Sequence, residues 1–93
     1  MRTAFVKGLT KLMQDDDKVI TITADMGFSV FEEMQSQFPS RFINTGVTEQ
    51  ASVSTAAGMA LSGHKVFFYA QAPFATMRCF EQIRLDVAYG NLD

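Results

Sequence analysis

The chain has 93 residues, of which 47% are hydrophobic and 19% charged, with a formal net charge of −2. That length suits one small domain or part of a larger one, and the apolar content suffices for a core, which argues against a disordered chain. No basic cluster offers a footprint for nucleic acid or an anionic membrane, and no run reaches the roughly 18 apolar residues of a membrane span. Within residues 2–14, Phe5, Leu9, Leu12 and Met13 fall at i, i+4, i+7 and i+8, which predicts an amphipathic helix. Asp15, Asp16, Asp17 and Lys18 make a charged break, read as a solvated loop because carboxylates adjacent in sequence do not converge on a metal. Residues 19–24 are rich in β-branched side chains, as in a strand buried on both faces of a parallel sheet. Ser29 is placed to cap a second helix carrying Phe31, Met34 and Phe38, with Pro39 as its stop.

Residues 41–44 predict a brief second strand, and residues 49–61 a helix with Ala51, Ala56, Ala57, Gly58 and Ala60. Those small side chains suggest close packing on a neighbouring backbone, although a glycine inside a helix costs about 1 kcal/mol relative to alanine. After the stop at Ser62, Gly63, His64 and Lys65, residues 66–70 predict a third buried strand. A last helix over residues 74–89 would present Met77, Phe80, Ile83 and Val87 on one side. The alternation of helices and apolar strands predicts an α/β fold, a parallel sheet with helices on both faces. Three strands make a narrow sheet, and a fourth is expected beyond residue 93, so residues 1–93 are read as an incomplete domain.

In such sheets ligands lie at the carboxyl ends of the strands, which directs attention to the loops at 25–29, 44–50 and 71–74. Ordinary structural roles also suffice for the residues there. Glu49 in a first helical turn is favoured by the helix dipole by about 0.3–1 kcal/mol. Asp25 is explained as a strand-end turn, Ser29 as a cap and Phe74 as a core aromatic. His64 is expected at the surface of the opposite end, and Cys79, the only cysteine, as a small buried filler unable to form an internal disulfide. No Gly-x-Ser-x-Gly elbow, no Cys or His pair at metal-ligand spacing and no glycine-rich phosphate loop is present. Met1 leads into a polar segment and not an apolar signal core, so the expected location is cytoplasmic.

Five ordered segments carry a further signal: Met1-Arg2-Thr3-Ala4-Phe5, Ala24-Asp25-Met26-Gly27-Phe28-Ser29, Asn44-Thr45-Gly46-Val47-Thr48-Glu49-Gln50, Ala56-Ala57-Gly58-Met59-Ala60-Leu61, and Ala72-Pro73-Phe74-Ala75-Thr76-Met77-Arg78 with Glu81-Gln82-Ile83-Arg84 and Asp86-Val87. Together they resemble the pyrimidine-binding domain of the transketolase family of thiamine diphosphate enzymes, in particular the separately encoded C-terminal subunit of bacterial transketolases. The resemblance covers the whole chain in register and makes residues 1–93 the N-terminal portion of that domain.

The resemblance implies thiamine diphosphate as cofactor, which reacts through C2 with its own 4′-amino group as base. A carboxyl bonded to N1′ of the aminopyrimidine promotes that role, and the glutamate matching the family pattern is Glu49. The stacking aromatic matches Phe74, Asp25 matches a position near the cofactor or subunit interface, and Ser29 matches a residue that holds a sugar-phosphate donor. Gln71 and Met77 depart from the aromatics frequent in relatives, which predicts a less aromatic pocket. The Gly-Asp-Gly segment that holds diphosphate through a divalent cation is absent. The implied partner is therefore a diphosphate-binding transketolase subunit that carries Mg²⁺, in a dimer or heterotetramer with active sites between subunits. The implied activity is ketol transfer between sugar phosphates. Two alternatives stand beside it: a related enzyme of the 1-deoxyxylulose-5-phosphate synthase or 2-oxo-acid dehydrogenase β type, and a truncated, non-catalytic piece, against which a cooperative monomeric melt would count.

Overall fold

The computed structural model describes all 93 residues, Met1–Asp93. Val19–Thr23 (β1) is buried at every position and lies at the centre of a three-stranded sheet. Phe42–Asn44 (β2) and Lys65–Tyr69 (β3) flank it, both parallel to it, with Thr21 opposite Phe42 on one side and Phe67 on the other. The all-β-branched sequence of β1 fits this place, because a central strand covered on both faces has no solvent side to carry polar residues. The α/β architecture expected from the sequence is the one observed.

Alternation along the strands sorts the helices into two layers. On one face, Arg2–Asp15 (α1) and Glu32–Gln37 (α2) close a core of Leu9, Met13, Val19, Phe31, Met34 and Phe42, with Phe67 and Tyr69 of β3 packed against it. The Phe31 ring meets Tyr69 edge-on at 4.9 Å and Phe42 at 5.5 Å. On the other face, Val66 and Phe68 point towards Val53, Ala56, Ala57 and Ala60 of Glu49–Leu61 (α3) across an apolar groove of about 270 Å³.

Arg41 ties the first layer to the sheet. Its guanidinium donates to the carbonyls of Met13, Asp16 and Val19 at 2.8, 2.9 and 3.2 Å, satisfying groups left open where α1 ends and β1 begins. Asp16 pairs with Lys65 at 2.7 Å across the same end of the sheet.

Several expectations are corrected. In α1 the buried residues are Leu9 and Met13, with Val6 half-buried beside them, while Phe5 and Leu12 stay exposed. Ser29 does not cap α2: it sits in the left-handed region at φ 59°, its N–H donates to Glu32 Oε1 at 2.7 Å, and Phe31 takes the cap position. Gly27 (φ 92°) lies against the Phe31 ring, where a β-carbon would come within 2.3 Å, so the loop closes by driving Phe31 into the core. Within residues 1–93, β3 pairs only with β1, and its residues 66–69 are half-buried where full burial was expected. Gly58 is exposed, with nothing within 4 Å of a β-carbon, so it makes no close helix contact within residues 1–93.

The largest departure is at the C-terminal end. Instead of one helix over 74–89, the chain makes a single turn at Ala72–Ala75 (α4), non-helical turns through Cys79, a short turn at Phe80–Gln82 (α5) and a π-helical run at Ile83–Ala88. Ile83 and Val87 do line the apolar groove, but Met77 and Phe80 are 78% and 66% exposed. The inward residue is Cys79, completely buried, whose thiol donates to the Phe74 carbonyl at 3.1 Å. Ser54 of α3 donates to Asp86 at 2.6 Å and anchors the π-helical run.

Candidate functional site

The turn between β2 and α3 is held from both sides. Asn44 Oδ1 accepts from the Asp25 and Gly46 N–H groups, each at 3.0 Å, and Asn44 Nδ2 donates to Asp25 Oδ1 at 3.3 Å. Gly46 takes φ 74°, a conformation that side chains disfavour, and nothing crowds its α-carbon, so backbone shape is the reason for glycine. Thr45 N–H donates to the Thr23 carbonyl at 2.9 Å, and its hydroxyl shares a 2.6 Å hydrogen bond with Ser52. The turn is thereby fastened to the end of β1 and to the first turns of α3.

Glu49 is the first residue of α3 and only 6% exposed. A carboxylate removed from water requires a partner. Arg78 provides it, with Nη1 3.2 Å from Glu49 Oε1. The same guanidinium lies over the Phe74 ring, its central carbon 3.9 Å from the ring centroid. The Arg78 backbone is fixed independently, since its carbonyl accepts from Gln50 Nε2 at 3.0 Å. Burial pushes the neighbouring Cys79 thiol up and the Glu49 carboxylate pushes it the same way, against a smaller opposing pull from Arg78, which favours the protonated thiol of a buried filler.

Of the residues singled out from sequence, Glu49 and Phe74 are therefore gathered about one guanidinium. Asp25 lies on the same strand-end edge, joined to the turn through Asn44, in the left-handed region at φ 54° and lining a recess of about 180 Å³. Ser29 lies apart. It lines a groove of about 590 Å³ between α1 and α2 with Arg2, Lys7 and Lys11, and no hydrogen bond links it to Glu49, Phe74 or Asp25. The residue to which sequence assigned no role is Arg78. Its signals were a place at the end of the 72–78 segment and a cation four places after Phe74, a spacing that means little once the helix there is broken.

The aminopyrimidine of thiamine diphosphate needs a flat apolar face and a carboxyl within hydrogen-bond reach of a ring nitrogen. The position of Arg78 demonstrates that a planar, N–H-bearing group meets both demands at once, stacked on Phe74 and directed at Glu49. The residues fit that end of the cofactor. No group of three or more His, Cys, Asp and Glu side chains is arranged to hold a metal ion. No helix is long and apolar enough to cross a membrane.

Comparison with known proteins gives a consistent result. The chain is 38% identical over 91 residues to 1-deoxy-D-xylulose-5-phosphate synthase of Clostridium perfringens, covering 97% of this chain and 14% of that protein. It is 35% identical over 89 residues to one of the subunits of the apulose-4-phosphate transketolase of Phocaeicola vulgatus, covering 95% of this chain and 28% of that relative. A solved split-gene transketolase, described as an inactive β4 tetramer, superposes with a TM-score of 0.87 at 36% identity, covering 98% of this chain and 31% of its own. The chain thus spans less than a third of the length of each of these relatives. The family described as transketolase, pyrimidine binding domain, matches residues 1–93, and the chain belongs to this family of thiamine diphosphate-dependent enzymes.

Proposed function

We propose that residues 1–93 are the N-terminal portion of a pyrimidine-binding domain, and that the complete protein moves two-carbon ketol units between sugar phosphates as one subunit of a transketolase-like enzyme. The observation that carries this reading is the convergence of a buried carboxylate and an aromatic face on one planar group, at the end of the strands. When bound, thiamine diphosphate supplies the carbon nucleophile that accepts the ketol unit. Everything else falls to the protein. Glu49 holds the hydrogen bond at the pyrimidine ring nitrogen, strengthened by its burial. Phe74 orients the ring by stacking. Asp25, fixed through Asn44, borders the cofactor or a subunit contact, and Ser29 binds the sugar-phosphate donor.

The diphosphate and Mg²⁺ are assigned to a diphosphate-binding subunit, in a cytoplasmic dimer or heterotetramer. A second reading is a 1-deoxyxylulose-5-phosphate synthase type of reaction, favoured by the 38% identity to such a protein. The 72–78 run, Ala-Pro-Phe-Ala-Thr-Met-Arg, favours the transketolase subunit.

The test supplies the complete protein with a matching diphosphate-binding subunit, thiamine diphosphate, Mg²⁺ and an aldose phosphate acceptor, and compares products with a ketose phosphate and with pyruvate as donor. Ketol transfer from the ketose phosphate, lost in Glu49→Ala, is the expected result. Product from pyruvate alone selects the second reading. Ketol transfer that survives Glu49→Ala contradicts the role of Glu49.

A further inference from the structure

Arg78 makes, with one side chain, the two contacts proposed above for the aminopyrimidine. Its flat guanidinium stacks on Phe74 at 3.9 Å and directs an N–H-bearing nitrogen at Glu49 Oε1, 3.2 Å away. Two groups cannot share one face of Phe74 and one approach to a nearly buried carboxylate. We propose that Arg78 is a built-in occupant of the pyrimidine seat, an autoinhibitory contact that the cofactor must displace; this rests on the functional reading above.

The contact has a physical reason. Glu49 is 6% exposed, and an ionised carboxylate left unpaired at that depth is strongly destabilising. The guanidinium neutralises it and covers an aromatic face that would otherwise meet water. Displacement is nonetheless feasible. The Arg78 side chain is 46% exposed, and its backbone is held separately through Gln50, so the guanidinium can swing into solvent about its own side-chain bonds while the chain around it stays in place. A partly exposed ion pair and one cation–π contact are individually weak, so the occupant holds the seat without closing it permanently.

The consequence is quantitative. Apparent affinity falls by the fraction of protein whose seat is free, so if about one-tenth of the population is free, the apparent Kd is about tenfold above the intrinsic one. The experiment uses the complete protein assembled with its diphosphate-binding partner. Thiamine diphosphate binding is measured by calorimetry for wild type, Arg78→Ala and Arg78→Lys. A neutral probe, 4-amino-5-hydroxymethyl-2-methylpyrimidine, is titrated in parallel so that removing a positive charge cannot by itself alter the result. Arg78→Ala is expected to bind both ligands about tenfold more tightly. Arg78→Lys, which keeps the ion pair and loses the flat face, should fall between Arg78→Ala and wild type. If wild type binds the cofactor and both variants bind it equally or more weakly, this inference is overturned and the functional reading stands. If no protein binds either ligand, the functional reading fails and this inference fails with it.

Discussion

On one face of the sheet, α1 and α2 close over β1 with Leu9, Met13, Phe31 and Met34 all buried. On the other, α3 is joined by short, broken turns that leave Met77, Phe80 and Leu85 exposed and an apolar groove between them and β3. The first face is assembled from segments whose apolar spacing already suits a helix or a strand. The second is bent by a few specific contacts: Arg78 to Glu49 and Phe74, Cys79 to the Phe74 carbonyl, and Ser54 to Asp86. The larger buried core lies on one side, and the Glu49, Arg78 and Phe74 cluster belongs to the other.

Substitutions can break this division, and the largest effect is expected at the site. Glu49→Ala in the complete enzyme should lower turnover by about 10²–10⁴-fold, the range for loss of a positioned acid–base group, with little change in the thermal melt. On the packed face, Met13→Ala removes a fully buried side chain and should cost about 2–5 kcal/mol in a denaturant melt. A similarly large loss from Phe80→Ala would show that the C-terminal turns share the core, contrary to their exposure.

Two glycines sharpen the comparison because they should respond with opposite signs. Gly27→Ala forces a β-carbon into the Phe31 ring at a positive φ and should cost about 1–3 kcal/mol. Gly58→Ala meets open space inside a helix and should stabilise by up to about 1 kcal/mol. Equal effects at the two positions would contradict the packing described for either loop or helix.

Much of the fold was legible in the sequence. The β-branched run of β1 and the segment of α3 are recovered nearly to the residue, because local propensity and burial point the same way there. The turn at 44–50 was legible through Gly46 and its polar neighbours. The incomplete burial of Val66, Phe67 and Phe68 within residues 1–93 was not, since they are as apolar as a central strand requires. Nor was the break after α4: residues 74–89 carry a helical period, and the contacts of Arg78 with Glu49 and Gln50, distant in sequence, override it. For the same reason Glu49 and Phe74 were legible as types of residue at strand ends, whereas Arg78 between them was not. Ser29 failed as a cap because Gly27 and Phe31 set the loop, a packing effect invisible to a capping pattern.

The smallest expected effect is at the far end of the sheet. The Lys65 ammonium holds the Asp16 carboxyl below its usual 3.8, and Asp16 in turn raises Lys65 above 10.5. A lowered carboxylate contributes stability above its unfolded value and loses it as pH falls through the folded one. A raised ammonium contributes below its unfolded value and loses it as pH rises through the folded one. Asp16→Asn should therefore flatten the melt's pH dependence slightly below pH 4 and above pH 10, and leave the neutral range nearly unchanged, because Lys65 is exposed and Asp16 only partly buried.

The central claim is that Glu49 acts on the pyrimidine from a buried position at the start of α3. It is tested most directly by the rate at which cofactor C2 hydrogen exchanges with deuterium in the complete assembly, followed by quenching and proton NMR. Glu49→Gln keeps the size of the side chain and removes its charge, and the account predicts exchange slowed by about 10²-fold or more while thiamine diphosphate stays bound. Exchange at the wild-type rate with cofactor bound would contradict it.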